Sequence, residues 1–580
     1  MIDGNKEAEF IYKGAIGAVE LANENGGRKV LPFNGMLAAD AWIWSKFRDD
    51  KKLLDKFQEF TDDKFDRKRG YYGKIGDRTV IKNCDIIKDA WIGPDAYIKG
   101  ANKLKNITIL STPEASTQIG EGCELVNGIV GYGNRIFYGV KAVRFVMGTN
   151  TQLKYGARLI NSYLGDNSTI SCCEVLNSLI FPGHEQHHNN SFLCAATVQG
   201  QSNMAAGATI GSNHNSRAAD GELVAGRGFW PGLCVSIKHN STFASYTLLA
   251  KGDFQYELNI PIPFSLVSNS LDNKELHIMP GYWFSYNLYA LARNSEKYVD
   301  RDRRMDKSIY LEYDFLAPDT INEMTRGLGI LESSVGHAFK LRTKKSPTKS
   351  SMEVGRNELL AAAKWIEVTS IYLDNIENSK RSVKLLKVQA AYANFRKLIS
   401  YYCVRELIEL TRANKNYLES LQTLLQKNKN KREEWINAGG QLVRKKALEQ
   451  LKSLIKIGKI KSWDEVHQWY QQQSKKYKYD KLNHAAAVLL EITRIAPHQL
   501  NKKKLIALLE DANETENWIA NQITLSRQKD YLNPFRKMLY ETDTEMREVI
   551  GTLEENPFIQ KQNEKRQQFA RQIEFIKGLL

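Results

Sequence analysis

The chain has 580 residues, 42% of them hydrophobic, which excludes an intrinsically disordered chain and exceeds the size of one ordinary domain. Its formal charge is +16, from 82 Lys and Arg against 66 Asp and Glu. No run of about 18 apolar residues occurs, so no membrane-spanning helix is expected.

Residues 1–70 read as a helical cap. Glu7–Asn23 and Met36–Phe60 are rich in Ala, Leu, Lys, Glu and Trp, and Gly26-Gly27 and Pro32 punctuate them. The opening Met1-Ile2-Asp3-Gly4 has no basic stretch ahead of an apolar one, so no secretory signal is expected.

From residue 71 to 285 the pattern changes. Large aliphatics recur every six residues: Ile75, Ile81, Ile87, then Ile92, Ile98, Leu104, and later Leu164, Ile170, Leu176. Glycine often follows (Gly76, Gly93, Gly120, Gly165, Gly211), and something small sits four places on (Thr79, Ala96, Cys123, Ala157, Ser168). A period of six fits neither a helix nor an isolated strand. It fits a three-sided coil of about 18 residues whose core is buried only by stacking, a left-handed parallel β-helix. The cap at 1–70 would cover the first coil. At the far end, strands over Tyr256–Leu266 and Leu276–Phe284 would form a hairpin, with Tyr282, Trp283, Phe284 and Tyr286 closing the stack. Six of the seven cysteines fall in this region without any C-x-x-C, which reads as small core residues in a cytoplasmic protein.

Residues 286–350 read as a helical connector ending in an exposed linker at Lys344–Ser351. Residues 351–580 read as a basic, all-α domain. From residue 331 onward Lys and Arg number 45 and Asp and Glu 29, so the tail carries the whole charge excess. Ser462-Trp463-Asp464-Glu465 is a first-turn signal. Basic clusters lie at 427–432, 444–446, 475–478 and 502–504. They suit an acidic protein partner. No recognised nucleic-acid fold accompanies them, so nucleic-acid binding is set aside. The expected fold class is therefore mixed α and β: a β-helix between a short helical cap and a long helical tail.

Residues 181–240 break the rhythm and hold five of the ten histidines. The candidate proton-transfer residues are His184, Glu185, His187, His188, His214 and His239. Asn190, Asn203, Asn213, Asn215, Arg217, Arg227, Trp230 and Lys238 are the candidate substrate contacts. His214 stands where the repeat asks for a small residue. His188, His214 and His239 are spaced 26 and 25 apart. One coil plus a short excursion in each interval would stack them on one face.

The hexad pattern resembles the hexapeptide-repeat acyltransferase superfamily, over roughly a third of the chain. The whole chain is similar to an uncharacterised bacterial family of β-helix proteins. The first resemblance implies acyl transfer to a sugar, nucleotide sugar or amine. A histidine would act as general base, the donor would be a thioester on coenzyme A or an acyl carrier protein, and the oligomer would be a trimer. Gamma-class carbonic anhydrases share the fold, and their resemblance implies an alternative: a metal held by His184, His188 and His214. A third reading makes the β-helix a scaffold and the basic helices the working surface. Residues 1–70 hold no doubly wound domain, which sets nucleotidyl transfer aside.

Overall fold

The computed structural model describes residues 2–3, 18–64, 73–211, 221–344, 349–412 and 416–580. Residues 74–267 form a parallel β-solenoid of about 11 turns, and a long helical region follows. The common coil repeat is seventeen residues rather than eighteen: Leu125 pairs with Ala142, and Ala142 with Leu159. Each coil turns its corners on residues in the left-handed region, such as Asn150 (φ 55), Gly156 (φ 73), Asn161 (φ 47) and Asn167 (φ 55). The middle interval is one residue short of a hexad. Asn and Gly recur at corners because this conformation costs them least.

Long strands such as Lys141–Met147 and Arg158–Leu164 bend at the corner residues Arg144 and Asn161, so one strand lines two sides. Short strands such as Arg135–Phe137 and Gln152–Lys154 form the third side. The inward aliphatics stack in register: Leu125, Ala142, Leu159 and Val175 on one side, Ile119, Ile136, Leu153 and Ile170 on another. Burying each large aliphatic side chain contributes about 2 kcal/mol. In the last coils the core turns aromatic, with Phe243, Tyr246, Phe254 and Phe264. The expected hairpin runs between Leu266–Asn269 and Glu275–Met279. Gly281 (φ 66) ends it, so Tyr282–Tyr286 is a helical turn and not a strand. That turn closes the core: Trp283 Nε1 donates to the Tyr246 carbonyl at 2.8 Å, and Phe284 packs on Phe264.

Ile2–Asp3 pairs in parallel with Ile87 and Lys88 at the edge of the first coil, but the helices of the N-terminal segment do not cap it. Residues 4–17 lie outside the described residues. Val19–Glu20, expected as helix, forms a small antiparallel pair with Lys29–Val30. Helices α1 (Ala38–Lys46) and α2 (Lys51–Lys64) belong to a core with Ile129, Val146, Tyr163 and Leu179. These side chains point outward from the middle coils, and an apolar outer face needs cover more than a coil end does.

After the solenoid come α3 (Leu288–Arg301), an extended strap over 302–317, and α4 (Pro318–Thr343). Residues 345–348 of the expected linker lie outside the described residues. The tail carries α5 (Val388–Leu407), α6 (Tyr417–Asn428), α7 (Lys445–Lys456), α8 (Trp463–Thr493), α9 (Lys502–Leu532) and α10 (Pro557–Leu579). It is not purely helical. Ser382–Leu385 pairs in parallel with Glu275–Met279, and Trp435–Ala438 forms a hairpin with Gln441–Arg444. The first of these pairings ties the tail to the end of the solenoid by backbone hydrogen bonds. Among the described residues no helix is long and apolar enough to cross a membrane.

Candidate functional site

The histidine-rich segment is divided among different places. His184 follows the corner at Gly183 (φ 81), and its ring points into the core column that holds Thr151 and Ser168 in earlier coils. It is fully buried. Its Nε2 donates to Gln186 Oε1 at 3.2 Å, and its Nδ1 lies 2.8 Å from the Ser202 hydroxyl. Burial lowers its imidazole to about 4, so it is neutral. The narrow core thus does accept a histidine at the small-residue position, given polar neighbours. With both nitrogens engaged, His184 does not fit a zinc ligand. Among the described residues no group of three or more His, Cys, Asp and Glu is placed to hold a metal.

Glu185 faces outward from the same strand. Lys297 and Arg301 of α3 hold it at 3.1 and 2.8 Å. Burial works against its charge, but these cations outweigh burial and keep the carboxyl below its usual range. His187 sits 3.7 Å from it, and its ring lies tilted against that of the exposed His188 at 4.4 Å. Burial lowers His187, with Glu185 opposing and His188 and the two cations assisting.

His188 lies at the corner of Asn190 (φ 61), before the strand Phe192–Cys194, whereas His239 lies at the corner of Asn240 (φ 58), after Val235–Ile237. These are opposite ends of one side, so the two do not share a stack. Register explains the failure. Glu185 pairs with Asn203 only eighteen residues on, with no excursion, whereas Ile210 pairs with Ile237, twenty-seven on. His214, Asn213, Asn215 and Arg217 lie outside the described residues. Asn203 sits beside Glu185, and Asn190 is exposed. Trp230 packs on Trp283, and Lys238 pairs with Glu257 at 2.9 Å. Arg227 is fully buried and acts as an internal clamp: Nε and Nη2 grip Asp319 at 3.0 and 2.9 Å, and Nη1 donates to the Asp314 carbonyl at 2.7 Å.

A different constellation forms where one solenoid corner meets the tail. A cleft of ≈ 450 Å³ opens between the corner of the middle coils, the start of α1, the strap, the 435–444 hairpin and α8. The assembly begins with local signals. Ser462 caps α8 by accepting the Glu465 N–H. Trp463 is then buried among Phe33, Trp44 and Phe57, and its Nε1 donates to Thr61 Oγ1 at 2.9 Å. One turn later His467 meets Asp40 of the first turn of α1, with Nε2 2.7 Å from Oδ2. Asp40 is fully buried and also accepts the Leu37 N–H. A carboxylate accepting from Nε2–H leaves Nδ1 as the basic nitrogen.

Three more polar groups line this cleft. Asp166 extends from the coil corner, and its Oδ1 accepts the Thr149 N–H at 2.7 Å. Burial pushes its carboxyl above the usual range, with the Arg304 charge opposing. Arg304 of the strap is fixed in turn by Asp302. Burial disfavours the Asp302 charge, but hydrogen bonds from Arg304 and Asn167 outweigh it and hold that carboxyl down to about 2. Gln441 is 3% exposed, its Nε2 donates to the Tyr470 carbonyl, and its Oε1 has no partner among the described residues. Behind the strap lies a second cavity of ≈ 900 Å³, and Arg304 and Leu311 line both.

None of Asp40, Asp166, Arg304, Gln441 and His467 stood out in the sequence. The first-turn signal at Ser462 was legible, but nothing local linked it to Asp40.

Comparison with known proteins gives two family matches. The family described as Domain of unknown function (DUF4954) matches residues 5–334, and the one described as Domain of unknown function (DUF6819) matches residues 416–576. An uncharacterized protein of Treponema pallidum (strain Nichols) is 45% identical over 566 residues, covering 97% of this chain and 75% of that protein. Asp40, Asp166 and Arg304 fall in the first matched segment, and Gln441 and His467 in the second.

Proposed function

This chain belongs to the DUF4954 family, and from that premise we propose that it is a group-transfer enzyme whose general base is His467. The supporting observation is His467, which lines a cleft on a solenoid corner and is held from behind by the buried Asp40 at 2.7 Å. The reaction proposed is acyl transfer from a thioester of coenzyme A or an acyl carrier protein to the hydroxyl or amine of a sugar, nucleotide sugar or small amine. The acceptor O–H or N–H attacks the thioester carbonyl. His467 Nδ1 takes the proton, the C–O or C–N bond forms, the C–S bond breaks, and the thiol leaves with a proton. Asp40 holds the tautomer and stabilises the imidazolium. Asp166 and Gln441 Oε1 offer hydrogen-bond acceptors, which suits a substrate rich in O–H and N–H groups. The larger cavity behind the strap would hold the rest of the donor.

Thiol release is the test. Full-length protein is incubated with acetyl- and longer acyl-coenzyme A and a panel of amino sugars, nucleotide sugars and polyamines. Acceptor-dependent release in the wild type, lost in His467→Ala, supports the reading. Release that survives His467→Ala, or none with any pair, rejects it.

A second reading places the base at His187, because Glu185 is pinned by Lys297 and Arg301 beside a half-exposed ring. His187→Ala in the same assay separates the two.

A further inference from the structure

The basic cluster at 427–432 meets the C-terminal end of α8 on the side of the tail. Gln422, in the middle of α6, donates to the Leu500 carbonyl at 2.7 Å, which packs α6 against the loop between α8 and α9. A cleft of ≈ 480 Å³ opens there, lined by Lys429, Arg432, Glu491 and Arg494. Glu491 is its one carboxylate, and Arg432 already occupies it at 2.7 Å. Lys429 and Arg494 are exposed and make no ion pair among the described residues. Lys427 and Lys431 are neighbours of Lys429 in the chain, and Lys502, Lys503 and Lys504 follow the loop.

Arg494 carries a second signal. It ends α8 at φ 57, ψ 23, in the left-handed conformation that glycine fills at most helix ends of this kind. Keeping an arginine there strains the backbone and places a guanidinium at the cleft.

We infer that this cleft binds a phosphate group of an anionic ligand. Guanidinium and ammonium groups around a small concavity match tetrahedral oxyanions in both charge and hydrogen-bond geometry. The site is separate from the transfer cleft. His467 and Arg494 lie on one helix, twenty-seven residues apart, which is roughly 40 Å at 1.5 Å per residue. No small substrate spans that distance, so this inference does not depend on the proposed reaction.

Full-length protein is titrated calorimetrically with inorganic pyrophosphate at low ionic strength. One saturable site is expected, weakened at least ~10-fold in Lys429→Glu/Arg494→Glu and unchanged in Lys475→Glu/Lys476→Glu, which alters a cluster nearer the middle of α8. Arg494→Gly should weaken binding while leaving the thermal midpoint equal or higher, because glycine relieves the strain. Absence of saturable binding in the wild type overturns the inference. So does equal weakening in both charge-reversed variants, which marks diffuse attraction. Binding of poly-glutamate without pyrophosphate also overturns it and identifies the surface as a dock for an acidic protein.

Discussion

Asp40 and His467 are 427 residues apart in the chain and 2.7 Å apart in space. The contact is set by Trp463, whose ring is stacked within the N-terminal helices and positions the next turn of α8. Asp40→Asn keeps the side-chain shape but lets the amide donate to the ring, which favours the wrong tautomer. We expect transfer activity to fall at least ~100-fold, with the circular dichroism spectrum unchanged. Equal activity in Asp40→Asn and wild type would remove Asp40 from the site.

Gly148 makes room for Asp166. A Cβ at Gly148 would stand 2.3 Å from Asp166 Oδ1, so Gly148→Ala must displace that carboxyl from the cleft. The expected cost is about 1–3 kcal/mol of stability by overpacking, with a larger proportional loss of activity. Urea denaturation and the thiol-release assay, run on the same preparation, compare the two effects. A variant as stable and active as wild type would mean that Asp166 is not needed where it stands.

Buried histidines make the fold acid-sensitive. Burial lowers His184 to about 4, and burial with the Arg432 and Lys481 charges lowers His484 to about 3. Unfolded, both take up a proton as pH falls through about 6.5, whereas the folded forms resist to the lower values. The unfolded state therefore binds more protons in that window. Stability is intact above about pH 6.5 and declines as pH falls toward 4, by about 3 kcal/mol for His184 alone. Denaturation midpoints at about pH 7.5 and about pH 4.5 should differ accordingly, and His184→Gln should narrow the difference. A midpoint independent of pH in wild type would contradict the buried neutral state.

Arg227 joins the solenoid to α4 through Asp319, under the ring of Tyr246. Arg227→Met leaves the Asp319 carboxylate without its cation and should cost about 3–5 kcal/mol. Arg227→Met/Asp319→Leu removes both charges and should recover much of that loss. Chemical denaturation of the two variants is the measurement, and equal destabilisation by both would mean that packing rather than the ion pair holds the joint.

The solenoid and its extent were legible because a stacked coil repeats its needs locally. Each side wants an aliphatic inward, as at Ile119, Ile136 and Leu153, and each corner favours Gly or Asn. The step of five from Ile87 to Ile92 showed a one-residue slip, but a single slip leaves the coil at about eighteen residues, and only the pairing shows that the shorter middle side recurs from coil to coil. The coincidence of 26 and 25 residues among His188, His214 and His239 failed for a related reason. Register is set by where an excursion falls. Leu193 pairs with Ile210 after an ordinary coil of seventeen residues, whereas Ala196, three residues later, already pairs with Leu223 twenty-seven on.

The sequence by itself determined the repeat, the aromatic residues that close it, the helical character of the tail and its excess of positive charge. These follow from patterns within a few residues of one another. Only the tertiary structure decided which charges meet. Asp40 and His467, Arg227 and Asp319, and Arg432 and Glu491 are joined by packing between elements distant in the chain. Apolar faces such as Ile129, Val146 and Tyr163 draw the N-terminal helices onto the middle coils, and the polar partners follow from that burial.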